Sequence, residues 1–85
     1  MKLQRTEQFA RDFAVLPESV KRRAEKQLRL FVENPRHPSL RVKKMEGAGG
    51  IWEARITKGY RFTFQIKADT CMLRRIGTHD ILKMP

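Results

Sequence analysis

The chain is 85 residues long and carries 19 Lys+Arg against 9 Asp+Glu, a formal net charge of +10. That length accommodates one domain spanning residues 1–85 with a small core, and it excludes a multidomain enzyme with its own nucleotide-binding domain. The single Cys71 excludes an internal disulfide scaffold, and 40% hydrophobic residues exclude a disordered tail. The positive excess points to a polyanionic partner: nucleic acid, an acidic protein or an anionic membrane. No apolar stretch approaches the roughly 20 residues of a membrane span, and none follows Met1-Lys2-Leu3-Gln4-Arg5 as in a signal peptide. One unpaired cysteine suits a reducing, cytoplasmic setting.

Leu3 to Arg5 reads as a short first strand. Thr6 follows as a helix N-cap, with Glu7 favourably placed in the first turn. Phe9, Phe13 and Leu16 fall on one helical stripe, and Pro17 ends that helix and opens the next. Val20, Ala24, Leu28, Phe31 and Val32 continue the helical period, with Lys21, Arg22, Glu25, Lys26 and Arg29 on the opposite side, until Asn34-Pro35 stops it. Two amphipathic helices joined at a proline read as a helical hairpin.

Between Pro35 and Gly50 the chain is punctuated by proline and glycine, with Leu40 and Val42 alternating with Arg41 and Lys43 as in an extended segment. The period then becomes two. Trp52, Ala54 and Ile56 alternate with Glu53, Arg55 and Thr57, and Tyr60, Phe62, Phe64 and Ile66 alternate with Arg61, Thr63 and Gln65, so two half-buried strands are expected around a turn at Lys58-Gly59. A third strand, Thr70 to Gly77, follows Ala68-Asp69. A two-residue loop there sets Ile66 opposite Cys71 and Phe64 opposite Leu73, and places Arg74 on the Arg61 face. Thr78 to Pro85 reads as a loop with one terminal turn. The fold expected is α+β: an N-terminal helical hairpin on one face of a small, mainly antiparallel twisted sheet, its other face open and lined by arginines.

Five segments in this order resemble the RelE/ParE superfamily of bacterial type II toxin–antitoxin toxins. They are His37-Pro38-Ser39-Leu40 with Lys43-Lys44-Met45-Glu46-Gly47, then Trp52-Glu53-Ala54-Arg55-Ile56, Gly59-Tyr60-Arg61-Phe62-Thr63-Phe64 and Ile76-Gly77-Thr78-His79-Asp80. The Gly77-Thr78-His79 ending is similar to the YafQ-like branch. The resemblance spans nearly the whole chain. It implies a bacterial cytoplasmic toxin held inactive by a cognate acidic antitoxin in a hetero-oligomer. RelE-like members cut messenger RNA on the ribosome without a metal or other cofactor, whereas ParE-like members poison DNA gyrase. A non-toxic RNA-binding relative is a third reading.

Metal-free RNA cleavage needs a base for the 2′-hydroxyl, an acid for the leaving 5′-oxygen, and cations for charge developing on the phosphate. Arg61, directed away from the core, is the first candidate for gripping the phosphate, and the resemblance places an arginine there. Arg55 shares its face. Glu53 is either a base or a structural partner of Arg55. His79 is the neutral-pH proton carrier beyond the third strand, or a surface histidine; the resemblance implies the former. Lys43, Lys44, Arg74 and Lys83 are candidates for holding RNA, the two adjacent lysines equally readable as a solvated charge run. Of Arg74 and Arg75, one is expected on the open face. Asp80 either orients His79 or caps the terminal turn. His37 reads as a turn residue, Cys71 as a buried structural thiol, and Trp52 and Tyr60 as core anchors or base-stacking aromatics. His and Cys spacing offers no metal site. The C-terminal Ile81-Leu82-Lys83-Met84-Pro85 lacks the aromatic residue that several RelE relatives carry there.

Overall fold

The structure, a computed structural model, describes residues 1–47 and 49–85. Its elements in chain order are β1 (Lys2–Arg5), α1 (Glu7–Ala14), α2 (Glu18–Glu33), a 3-10 turn (Pro38–Leu40), β2 (Lys43–Lys44), β3 (Trp52–Arg55), β4 (Arg61–Lys67), β5 (Thr70–Gly77) and a C-terminal 3-10 helix (His79–Lys83). One five-stranded sheet runs β1-β5-β4-β3-β2, with β1 parallel to β5 and every other pair antiparallel. This is the expected α+β architecture.

Local chemistry explains the start of each helix. The Thr6 hydroxyl accepts the Phe9 N–H at 3.0 Å, satisfying one orphan donor of α1, and donates to the Arg74 carbonyl at 2.9 Å. Pro17 is the N-cap of α2 and not its first helical residue, and its carbonyl accepts from the Val20 and Lys21 N–H groups. The hairpin then buries Phe9, Leu16, Ala24 and Phe31 against Phe62, Phe64, Leu73 and Ile76. Phe31 meets Phe62 edge-on with centroids 5.4 Å apart and Phe64 at 4.8 Å, pairs that contribute about 0.5–1.5 kcal/mol each beyond their area.

Two expectations about core membership are corrected. Val32 is 50% exposed, and Gln27 takes the buried place on the stripe, its amide donating to the Arg55 carbonyl at 3.1 Å. Ile66 is also half exposed, because it lies near the hairpin end of β4, beyond the helices. The hairpin register is as expected, Ile66 opposite Cys71 and Phe64 opposite Leu73. Cys71 is fully buried, and burial pushes its thiol up to about 11, so it stays protonated and unreactive at neutral pH.

A β-bulge between Thr63 and Phe64 then inserts Arg74 as an unpaired residue, so Thr63 faces Arg75 and Arg61 faces Gly77. Both arginines reach the C-terminal segment instead of one alone. Arg74 Nε donates to the Pro85 carbonyl and Arg75 Nη1 to the Met84 carbonyl, at 3.2 and 3.1 Å. Thr63 donates to the same Pro85 carbonyl at 3.1 Å and is fully buried. The second sheet face is therefore not wholly open: residues 79–85 cover the β4–β5 part and leave the β3 side accessible.

Candidate functional site

The accessible part of that face is a cleft of about 260 Å³ lined by Arg41, Lys43, Glu53, Arg55 and Arg61. Strand register explains the grouping. Arg55 pairs with Arg61 and Lys43 with Glu53, and cross-strand partners project to the same side. Trp52, Ala54 and Phe62, one residue out of phase, go to the helix side. The same alternation removes Lys44 from the site. It pairs with Trp52, so it belongs to the opposite face, against the expectation that both lysines hold RNA.

Four cations thus meet one carboxylate. Arg61 Nη1 donates to Glu53 Oε1 at 2.9 Å, and the two side chains are 18% and 7% exposed. Glu53 pairs with Arg61, its diagonal neighbour across β3–β4, and not with Arg55 two residues along its own strand. Arg61 Nε is buried and has no partner among the described residues. A buried donor without an acceptor costs stability, so the guanidinium Nε–H is poised to donate to an anion's oxygen. Arg55 is held from behind through its carbonyl by Gln27, which fixes the end of β3 against α2.

Two members of the site escaped the sequence reading. Arg41 follows the 3-10 turn with φ 45° and ψ 47°, a left-handed conformation rarely taken by residues other than glycine, which breaks the simple alternation of residues 40–43. Its signal is the turn chemistry of His37-Pro38-Ser39. Gln27 was detectable as a polar residue one position before Leu28 on an otherwise apolar stripe.

The C-terminal segment carries the remaining candidates. Gly77 permits its close approach, since a Cβ there would stand 2.9 Å from Ile81 Cγ2. His79 is exposed, its side chain has no hydrogen-bond partner among the described residues, and it does not line the cleft. Asp80 neither orients His79 nor caps the turn. Thr78 is the N-cap, and Asp80 stands exposed, 4.0 Å from Lys83. Arg74 and Lys83 line a separate cleft between this segment and Met45, Glu46, Gly47 and Ile51, and Arg74 is bonded to Gln65 as well as Pro85. Asp12 of α1 anchors the segment indirectly. Its carboxylate receives Arg75 Nε at 2.7 Å, Arg75 Nη2 at 3.3 Å and the Ile76 N–H at 3.2 Å, while Arg75 Nη1 holds Met84. Burial opposes ionisation of Asp12, but the hydrogen bonds from Arg75, Gln8 and the Ile76 N–H, with the Arg75 charge, outweigh it and hold the carboxyl below its usual value.

His37 is a turn residue, its Nδ1 accepting the Ser39 N–H at 3.1 Å. Trp52 and Tyr60 are partly buried against the core. Among the described residues no group of three His, Cys, Asp or Glu is placed to hold a metal ion, and no helix is long and apolar enough to cross a membrane.

No protein-family model and no curated protein matches the sequence. Solved structures do match the fold. YafQ from Escherichia coli is 15% identical with a TM-score of 0.79, over 95% of this chain and 96% of that chain. A YoeB/ParE toxin from Agrobacterium tumefaciens is 19% identical with a TM-score of 0.78, over 93% and 99%. A chain of the RelB–RelE antitoxin–toxin complex from Methanococcus jannaschii is 17% identical with a TM-score of 0.76, over 95% of each. The chain has the RelE/YafQ-like toxin fold.

Proposed function

We propose that this chain is the toxin of a type II toxin–antitoxin pair and that it cleaves messenger RNA on the ribosome. One observation carries the reading: on a sheet face of the RelE/YafQ-like fold, Arg61, Arg55, Arg41 and Lys43 converge on one cleft around a single carboxylate. The chemistry follows from those groups. The scissile phosphate takes the place beside Arg61, whose buried Nε and fork geometry suit two phosphate oxygens. The 2′-oxygen bonds to phosphorus as the bond to the 5′-oxygen breaks, and Arg61 and Arg55 stabilise the extra negative charge. Glu53, the carboxylate lining the cleft, takes the 2′-hydroxyl proton. His79, on the neighbouring C-terminal segment, supplies a proton to the departing 5′-oxygen. Lys43 holds a flanking phosphate.

The partners follow from charge. An acidic antitoxin segment would neutralise the cleft, and its docking would weaken with salt. The RelB–RelE neighbour is an antitoxin–toxin complex, which supports a cognate antitoxin here. The bacterial cytoplasm is the corresponding site of action.

A second reading is gyrase poisoning without catalysis. It is favoured by His79 standing exposed and outside the cleft. The two readings separate on programmed ribosomes assayed beside a DNA-supercoiling reaction. Cleaved message with unaffected supercoiling supports the ribonuclease; arrest of supercoiling with intact message refutes it.

A further inference from the structure

A second cationic cleft, of about 330 Å³, lies beside the first and has no part in the reaction just described. Pro35, Arg36, His37, Pro38, Arg41 and Val42 line it. No carboxylate lines it among the described residues, and Arg41 belongs to both clefts. The two are therefore neighbouring stations of one cationic track with Arg41 as their common wall.

Three features suit this cleft to a phosphate. His37 Nδ1 is occupied as an acceptor by the Ser39 N–H, so the neutral imidazole carries its proton on Nε2 and offers it as a donor. Leu40, fully buried, pins the 3-10 turn to the core, and Pro35 and Pro38 restrict the loop, so these donors are held without large ordering cost. Arg41 retains a long cationic side chain at a left-handed backbone position where glycine is favoured, a strain consistent with a binding role for that guanidinium. The lining provides guanidinium and imidazole donors but no pattern of acceptors that would read a base edge, so recognition is of phosphate oxygens and independent of sequence.

We propose that this cleft binds a neighbouring phosphate of the RNA strand whose scissile phosphate lies against Arg61, through Arg36, His37 Nε2 and Arg41. The proposal rests on the reading of RNA as the substrate. It gives His37-Pro38-Ser39 a role beyond turning the chain.

The test is the binding of a fully 2′-O-methylated hexanucleotide, which cannot be cleaved, followed by fluorescence anisotropy between 50 and 200 mM salt. The double variant Arg36→Gln/His37→Asn removes the Arg36 charge and the imidazole Nε2 donor and leaves Arg41 in place, while the asparagine oxygen still accepts the Ser39 N–H. Lys26→Gln, on the exposed side of α2, removes one charge elsewhere. Arg61→Ala reports separately on the first cleft. The double variant should bind about tenfold more weakly. Its log K against log salt slope should be shallower by about 0.7, because one phosphate is no longer neutralised. A double variant indistinguishable from Lys26→Gln, with Arg61→Ala still weakened, overturns the second site and leaves the RNA reading standing. Absence of wild-type binding to the hexanucleotide overturns both.

Discussion

Replacing Glu53 with glutamine should separate three properties that the cleft joins. The substitution keeps shape and one acceptor but removes the countercharge 2.9 Å from Arg61. Breaking a fully buried pair costs about 3–5 kcal/mol, and an exposed pair contributes at most about 1 kcal/mol. With side chains 7% and 18% exposed, this pair lies between those limits, so a loss of about 2 kcal/mol is expected. In a domain of this size that lowers the melting temperature by about 8–16 °C. Anion binding should move the opposite way. One charge removed from a partly solvated cleft changes the energy of a phosphate by about 1 kcal/mol, roughly fivefold in affinity. Cleavage should fall by about 10²–10⁴-fold, since an amide cannot take the 2′-hydroxyl proton. Thermal melts, anisotropy with uncleavable RNA and single-turnover cleavage on ribosomes give the three readings. Unchanged stability would show that the ion pair is not structural. Weaker RNA binding by a folded variant would refute the view of Glu53 as the carboxylate competing with phosphate for Arg61.

Gly77→Ala places a Cβ 2.9 Å from Ile81 Cγ2 and should cost about 1–3 kcal/mol in urea unfolding, recovered in part by shortening Ile81. Asp12 ionises more readily in the folded state, so its stabilisation is complete above the unfolded carboxyl value, near 3.8, and fades as pH falls through its lower folded value. Asp12→Asn should therefore flatten part of the acid limb of the stability curve below about pH 4 and destabilise the protein at neutral pH. Ala68 opens the β4–β5 turn with φ 54°, where glycine is unstrained, so Ala68→Gly should raise stability by about 0.5–1 kcal/mol in the same unfolding assay.

Much of this fold is legible wherever neighbouring residues alone determine the outcome. Thr6 caps α1 by local hydrogen bonding, and the two-residue loop at Ala68-Asp69 fixes the pairing of Ile66 with Cys71. Period two also places Glu53, Arg55 and Arg61 on one face. What is not legible depends on distant partners. The bulge that admits Arg74 is joined by Thr6, whose hydroxyl donates to the Arg74 carbonyl 68 residues away. The cover laid on Thr63 comes from Pro85, and a purely local reading leaves that face open. Lys43 and Lys44 look equivalent as a charge pair, and only their register against Glu53 and Trp52 divides them. Arg41 enters the cleft through a backbone conformation that alternation cannot anticipate.

The central claim is that Arg61 stabilises a phosphate undergoing cleavage. Single-turnover cutting of message on programmed ribosomes by wild type and Arg61→Ala, with folding of each verified by circular dichroism, addresses it most directly. Arg61→Ala should remain folded, because the residue lies outside the apolar core, with a stability loss of about 1–2 kcal/mol from leaving Glu53 unpaired. Its cleavage rate should drop by about 10²-fold or more. A folded Arg61→Ala protein that cuts message at the wild-type rate would contradict the account.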